Sequence, residues 1–250
     1  MSQTRLAHRV FVLIALALVV AAVCFRLGLW QLHRLSERRA FNASVEQGLA
    51  RPPVPLASLP DARTNPDAVA YRRVVVSGTY GVDRQVVLYG RSLNEQSGSH
   101  LLTPFVTEDS RAILIDRGWV PIEVDPRDPR VGARAGPVTV SGVLFPSEGG
   151  PPGPLPGSAG SEASRTVSRI DLSEIQKLVP DPLYPEYLLL QSQDPLQPGP
   201  LPEPAPLPEL SEGPHLSYAI QWFTFAAIAL IGGTILVRND LRTPAVPSEE

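Results

Sequence analysis

The residues of this chain best suited to bind a ligand lie at the start of its last apolar segment. His215, Tyr218 and Trp222 follow one another at intervals of three and four residues, so a helix would place their side chains on one face. A neutral imidazole is the commonest metal ligand in proteins. A histidine at a membrane boundary can instead hydrogen-bond headgroups, while Tyr and Trp there form the ordinary aromatic belt. The pattern alone leaves both interpretations open.

Two apolar segments would position these residues. Residues 10–25 carry no charge, and the run reaches the roughly 20 residues needed to cross a bilayer if it continues to residue 30, with Arg26 extending its long stem to the interface. Residues 216–237 form a second uncharged run. We therefore predict transmembrane helices over residues 10–30 and 215–237. The first is interpreted as an uncleaved anchor, because it is longer than a signal-peptide core and no small-residue cleavage site follows it.

Charges around the second apolar run predict its orientation. Arg238 and Arg242 follow the run, whereas three glutamates precede it, which places the C-terminus in the cytoplasm by the positive-inside rule. The arginines around the first run favour the opposite orientation, but long loops translocate largely regardless of charge. We predict a multi-pass plasma-membrane protein with residues 1–9 and 238–250 in the cytoplasm and the central domain outside. The lack of an Arg-rich, acid-poor leader favours the plasma membrane over an organellar one.

The middle of the chain predicts a β-rich domain over residues 31–193. Segments rich in β-branched and aromatic residues predict strands at 72–80, 85–89, 101–107, 112–117, 137–145 and 187–191. A turn at 81–83 predicts a hairpin between the first two. Helices are predicted at 36–49 and at 171–178, where Asp171 and Glu174 have capping-box spacing. The predicted fold class is membrane α + β, with two transmembrane helices flanking a mostly antiparallel β-rich extracytoplasmic domain that contains a few helices.

Two further stretches have compositions that disfavour a packed core. Residues 146–164 are rich in Gly, Pro and Ser and are predicted to be a disordered insertion. Residues 194–214 carry proline at nearly every second position through their centre, which predicts an extended, semi-rigid tether before the second apolar helix. A proline-rich recognition motif is the alternative interpretation of the same composition.

Composition and motifs exclude several classes of function. The net charge is −3, so the sequence lacks the basic character of a nucleic-acid-binding protein. Cys24 is the only cysteine, which excludes an internal disulfide and a paired-thiolate metal site. The sequence contains no Gly-x-Ser-x-Gly, no His-Glu-x-x-His and no phosphate-binding glycine loop. We therefore predict that the protein is not an enzyme. A membrane-tethered hydrolase is the enzymatic alternative.

Several strings occur in an order that resembles the surfeit locus protein 1 family of cytochrome c oxidase assembly proteins. Residues 28–34 are similar to Gly-x-Trp-Gln-x-x-Arg, and residues 215–223 to His-x-x-Tyr-Ala-x-x-Trp-Phe. Residues 114–121 resemble a Val-Asn-Arg-Gly-Trp-Val-Pro signature, with Asp116 where asparagine is usual. The resemblance covers nearly the whole chain outside the termini and the proline-rich stretches.

The resemblance implies an assembly factor for cytochrome c oxidase that binds haem a and aids its insertion into the catalytic subunit. The implied partners are the oxidase subunits, chiefly subunit I, with haem a synthase as a further partner and the lipid bilayer as the environment. A cofactor-free membrane scaffold that binds oxidase subunits during assembly is the alternative function.

In that family setting, His215 is the predicted ligand of the haem iron, because histidine is a common axial ligand. The other predicted contacts are aromatic rings beside the porphyrin or arginines that bind carboxylates: Tyr218, Trp222, Trp30 and Arg34, with Arg26 and Arg38 as further candidates. The other histidines have weaker claims: His33 as a solvated helix residue, His100 at a strand edge, and His8 on the wrong side. Arg117 and Trp119 are interpreted as folding residues, with partner contact as the alternative.

Overall fold

The computed structural model describes residues 3–60, 66–149 and 165–242. The chain divides into two compact units: a helix unit formed by Met1–Ala43 and Glu209–Glu250, and a sheet unit formed by Ser44–Pro208. Along the described chain the helices and strands are α1 (Gln3–Ala50), β1 (Val54–Pro55), α2 (Pro66–Val69), β2 (Arg73–Tyr80), β3 (Val86–Leu93), β4 (Gln96–Thr107), β5 (Ala112–Pro121), β6 (Pro137–Pro146), β7 (Thr166–Val167), α3 (Leu172–Ile175), β8 (Leu183–Asp194) and α4 (His215–Arg242).

The two apolar runs form the long helices α1 and α4, and each is long and apolar enough to cross a membrane. At 1.5 Å per residue, the 48 residues of α1 extend about 72 Å and the 28 residues of α4 about 42 Å. A bilayer core is only about 30 Å thick. The helix predicted at 36–49 is therefore confirmed as a continuation of α1, well beyond the length that a membrane span requires.

In the helix unit, α1 and α4 pack antiparallel along a seam of small residues. Arg9 near the start of α1 pairs with Asp240 near the end of α4, with Nε and Oδ2 2.9 Å apart. A Cβ added to Gly28 would lie 2.6 Å from the Phe223 ring, and one added to Gly233 would lie 2.5 Å from Ala17 Cβ. Small residues let helix backbones approach closely where no hydrophobic effect drives them together.

The sheet unit contains a ring of five strands. The eight-stranded sheet has the order β1-β2-β6-β8-β5-β4-β3-β7, and β2 also pairs with β4. Because β2 pairs with both β6 and β4, strands β2, β6, β8, β5 and β4 close on themselves. A hydrophobic cluster draws side chains from all five strands, among them Val74, Phe105, Ile113, Val140 and Leu188. Closure removes the exposed edges that an open sheet would present.

The sheet is mixed: among the described strands most pairings are antiparallel, as predicted, and three are parallel. Strand β8 runs parallel to β5 and antiparallel to β6, while the short strands β1 and β7 run parallel to β2 and β3. Four of the six predicted strand segments lie entirely within strands, and the other two, 72–80 and 85–89, begin one residue before a strand. The direction of a pairing between segments far apart in the chain is a long-range property, which alternation of residue types does not encode.

The hairpin predicted at residues 81–83 is wrong. Gly81 N–H donates to Pro104 O at 2.8 Å, and the 3-10 turn at Val82–Arg84 leads the chain away from β2. Strand β3 pairs instead with β4, from Val86↔Leu102 to Leu93↔Gln96. The hairpin turn is formed by residues 94 and 95, both with positive φ, as a primed turn requires.

The proline-rich segment, residues 194–214, is not a free tether through its centre. Glu203 exchanges two backbone hydrogen bonds with Trp119, at 2.7 and 2.8 Å, and Ala205 and Leu207 pack with Phe145 and its neighbours on the outside of the ring. Proline's fixed φ suits extended backbone lying beside a strand. At the contact, Gly118 has φ +121°, and a Cβ there would lie 2.0 Å from Glu203 O. The segment therefore requires glycine at position 118.

Most of the predicted disordered insertion, 150–164, lies outside the described residues. Its first residues belong to the fold, because Pro146 ends β6 and Glu148 N–H donates to Ile170 O at 2.8 Å. The N-cap predicted at Asp171 is confirmed, since its carboxylate accepts from the backbone N–H groups of Ser173 and Glu174.

Candidate functional site

His215 is the first residue of α4 and is held by α1. Its Nδ1 lies 2.9 Å from Oε1 of Gln31. The imidazole is half-buried and Gln31 is buried, at 9% exposure. An amide oxygen can only accept a hydrogen bond, so Nδ1 is the donor and the lone pair of the neutral ring is on Nε2. The contact fixes both the tautomer and the orientation of the ring.

The Nε2 edge of the same ring lies beside a glycine. Gly213 has φ +65°, and a side chain at that position would lie 3.6 Å from His215 Nε2 and Cδ2. Within the described part of the chain, Nε2 makes no hydrogen bond or ion pair. Ligand histidines typically donate one ring N–H to an oxygen acceptor and coordinate through the other nitrogen. In His215, Nδ1–H has such an acceptor in Gln31 Oε1, and Nε2 is the nitrogen left for coordination.

The predicted aromatic face is formed only in part. Trp222 is half-buried and packs with Ala21, Cys24 and Ala226 in the seam between α1 and α4. Tyr218 is 46% exposed and Trp30 is 52% exposed. A seven-residue step returns to nearly the same side of a helix, whereas a three-residue step falls short by about 60°. His215 and Trp222 therefore belong to the seam, and Tyr218 lies on its flank.

The predicted arginines are only partly available for an anion. Arg34 Nη1 is 2.7 Å from Glu37 Oε2 on its own helix. Arg38 donates to the backbone carbonyls of Glu209 and Ser211, at 2.8 and 2.9 Å. Arg26 is exposed. Arg26 is therefore the freer of these candidates, and Arg34 would have to exchange its partner to bind a carboxylate.

An arginine clasp, formed by Arg38 and Arg39 with residues 209–212, holds the segment before α4. Arg39 binds Glu212 bidentately, with N–O distances of 2.8 and 2.9 Å. Hydrogen bonding to Arg39 lowers the pKa of Glu212. This clasp was not predicted from the sequence, although the opposite charges of 38–39 and 209–212 are its signal. Because it fixes the chain three residues before His215, it also helps to place the imidazole.

The remaining histidines lie elsewhere. His33 forms an exposed ion pair with Glu37 at 3.3 Å, as expected for a solvated helix residue, and His8 is exposed in the first turns of α1. The strand-edge position predicted for His100 is wrong, since β4 is paired on both sides there. His100 Nδ1 lies 2.7 Å from Asp116 Oδ2, and Asp116 also accepts the Gly118 N–H. That pair fixes the irregular stretch where β4 meets β5.

Arg117 and Trp119 are 1% and 4% exposed, which supports their interpretation as folding residues. The Arg117 guanidinium donates to the carbonyls of Val131 and Gly132, both at 3.1 Å. Burial lowers the pKa of Arg117 to about 10. Its charge is therefore compensated by backbone dipoles inside the sheet unit.

In the described ranges, no group of three or more His, Cys, Asp or Glu side chains could hold a metal ion. A haem is the kind of metal group that such a protein can still hold, because the porphyrin supplies four nitrogens and the protein needs to add only an axial ligand. His215, with an oriented ring and an uncovered Nε2 edge, fits that requirement.

Comparisons with known proteins identify the family. Residues 18–227 match the SURF1 family. The chain is 30% identical over 220 residues to a SURF1-like protein of Rickettsia bellii, covering 86% of each chain. It is 33% identical over 232 residues to an uncharacterized SURF1-like protein of Mycobacterium bovis, covering 88% of this chain and 81% of the relative. A SURF1-like protein of Monosiga brevicollis is 26% identical over 247 residues. The chain belongs to the SURF1 family.

Proposed function

We propose that this protein is a membrane-anchored assembly factor for cytochrome c oxidase, and that its helix unit binds haem a through His215 and aids insertion into subunit I. Family membership supports the role in oxidase assembly. The observation that carries the haem proposal is the His215–Gln31 pair. The hydrogen bond to Gln31 fixes Nδ1 of the half-buried imidazole and leaves the Nε2 lone pair available to a ligand.

The proposed location is the plasma membrane, with α1 and α4 as its two spans and the sheet unit outside the cell. Apolar side chains along α1 are exposed, such as Phe11 at 69% and Leu16 at 59%. Contiguous exposed apolar surface of this kind suits lipid rather than water. The Arg9–Asp240 ion pair joins the two terminal ends of the helix pair, which supports a topology with both termini on one side of the membrane.

At the other end of the helix pair, the site lies where α4 begins. The proposed role of His215 Nε2 is to donate its lone pair to the haem iron. Gln31 Oε1 holds the ring in the tautomer that leaves this lone pair available and increases the basicity of the imidazole. Haem a, when bound, supplies the iron and the porphyrin ring, while the protein supplies the axial ligand, the apolar helix surface and the cations.

The flanking residues have supporting roles in this proposal. Tyr218 and Trp30 are exposed aromatic side chains near the ends of the two spans, suited to contact a flat apolar ring. Trp222 shapes the seam beneath His215. Arg26 and Arg34 are the proposed partners of the propionates, because a guanidinium binds a carboxylate bidentately. None of these roles requires bond-breaking chemistry, so we propose a carrier and assembly factor rather than an enzyme.

The test is the haem a content of full-length protein purified in mild detergent from cells that make haem a. Wild type is expected to carry haem a, and His215→Ala to lose most of it. His33→Ala is the matched control, because it removes an exposed imidazole from α1 close to Gln31. Equal haem content in wild type and His215→Ala would refute the ligand assignment. Colourless wild-type protein that still captures subunit I would instead support the cofactor-free scaffold.

A further inference from the structure

A groove runs between α1 and α4 at the end of the helix pair remote from His215. It has a volume of about 470 Å³, within the range of ligand pockets. Its sides come from both helices, and the apolar residues along it include Ile14, Ala17 and Leu18 of α1 and Leu230, Gly233 and Val237 of α4. The groove is long and apolar, which suits a hydrocarbon chain.

The missing side chain of Gly233 lets the two helices approach closely at one edge of the groove. The Cα of Gly233 faces Ala17, and a Cβ there would come within 2.5 Å of Ala17 Cβ. The hydroxyl of the neighbouring Thr234 donates to Leu230 O at 2.7 Å. Because that hydroxyl is satisfied within its own helix, it does not require a polar ligand in the groove.

Two arginines line the groove at the C-terminal end of α4. Arg238 and Arg242 both contribute to its lining, and residues four apart lie on the same face of a helix about 6 Å from each other. Both side chains are exposed, and neither makes a hydrogen bond or ion pair to any described residue. The nearby Asp240 pairs with Arg9, so its charge is already compensated.

An apolar groove that ends at two free cations is complementary to a molecule with a hydrocarbon chain and an anionic head. In a bilayer that molecule is an anionic phospholipid, since basic pockets between transmembrane helices recognise such headgroups. Guanidinium groups bind phosphate oxygens through paired N–H donors. A zwitterionic lipid would bring its own cation next to the arginines and would be disfavoured.

We propose that this groove binds an anionic phospholipid, with one acyl chain beside Ala17 and Gly233 and the phosphate between Arg238 and Arg242. The inference rests on the two-span location proposed above and is independent of haem binding. The lipid would fill the space beside the glycine contact, so that α1 and α4 stay paired at their terminal ends.

Native mass spectrometry of the full chain in detergent tests the proposal, with phosphatidylglycerol and phosphatidylcholine of identical acyl chains as probes. Wild type is expected to bind phosphatidylglycerol more tightly. The double variant Arg238→Gln/Arg242→Gln is expected to bind it about 30-fold more weakly, which corresponds to about 1 kcal/mol for each arginine. Arg51→Gln/Arg73→Gln is the matched control, since both side chains are exposed and lie outside α4, and it is expected to leave the affinity unchanged.

A second variant tests the apolar part of the site. Leu18→Trp places a bulky indole ring in the groove. Leu18 is 56% exposed, so the helix contact is retained while the acyl chain is displaced. Equal affinity of wild type for both lipids overturns the proposal, and so does unchanged phosphatidylglycerol affinity in either the double variant or Leu18→Trp.

Alkaline extraction of membranes distinguishes failure of the lipid site from failure of the proposed location. Protein that stays in the membrane pellet but shows no lipid preference overturns the lipid site alone. Protein released into the supernatant contradicts the two-span location, and the lipid site with it.

Discussion

Replacing Gln31 by leucine removes the acceptor that orients His215 while keeping a side chain of similar size in the seam. Gln31 is buried and its Oε1 lies 2.9 Å from His215 Nδ1. Loss of such a partner typically lowers metal affinity about 10- to 100-fold. The ring also loses one hydrogen bond that contributes about 1 kcal/mol to the pairing of the two helices. We therefore expect weaker haem a binding with the two-helix structure retained.

The assay is titration of the haem-free protein in detergent with haem a, followed by absorption. Gln31→Glu serves as the conservative rescue, because a carboxylate also accepts from Nδ1–H and is expected to restore wild-type affinity. Gln221→Leu is the control, since it makes the same chemical change at an exposed position of α4. Haem a affinity of Gln31→Leu equal to that of wild type and of Gln221→Leu would refute the proposed orienting role.

Three further predictions concern packing, burial and pH. Gly28→Val is expected to destabilise the helix pair by about 1–3 kcal/mol, because its Cβ would lie 2.6 Å from the Phe223 ring; thermal unfolding in detergent measures the loss, and Phe223→Ala in the same chain should reverse part of it. Arg117→Met is expected to lower the free energy of unfolding by about 3 kcal/mol, since it leaves buried carbonyls of the sheet unit without donors; an unchanged denaturant midpoint would contradict this. The pKa of Glu212 is lowered by its hydrogen bond to Arg39, so the stabilisation is fully present above the ordinary pKa of a glutamate and is lost as pH falls through the lowered value. The protection of the amides of residues 209–213, relative to their intrinsic exchange rates, should therefore fall in acid for wild type, and Glu212→Gln should show that weaker protection already at neutral pH.

Local patterns predicted much of this fold. The uncharged runs before Arg26 and before Arg238 indicate α1 and α4, and alternating β-branched residues locate six of the strands. Strand β3 was predicted too short, because Gly90 with φ +78° interrupts the pattern at a bulge between Tyr89 and Arg91. The two-residue strands β1 and β7 are too short to produce any periodic signal.

The pairing of segments far apart in the chain could not be predicted from the sequence. The closure of β2 on β4 and the parallel pairing of β8 with β5 depend on which distant segments meet. The proline-rich segment was interpreted as a tether because its composition indicates an extended backbone but does not show that it packs against the sheet unit. Glu203 interrupts the prolines and keeps the N–H that bonds to Trp119, which is the local signal that this segment lies beside a strand.

The sequence predicted the proposed ligand residue, His215, but not the residue that orients it. His215 follows from its place at the start of an apolar helix, whereas its contact with Gln31 joins residues far apart in the chain. The seam also separates residues that simple helical spacing had grouped, since Trp222 packs inward and Tyr218 is 46% exposed. Spacing gives the side of a helix, but only the partner helix decides which part of that side is covered.

The imidazole of His215 is the proposed ligand of the haem a iron. The most direct measurement is the absorption spectrum of His215→Gly saturated with haem a, recorded with and without free imidazole and compared with wild type. We predict an altered spectrum that returns to the wild-type form when imidazole enters the space left by the side chain. A spectrum of His215→Gly identical to wild type without imidazole would contradict the assignment of His215 as the iron ligand.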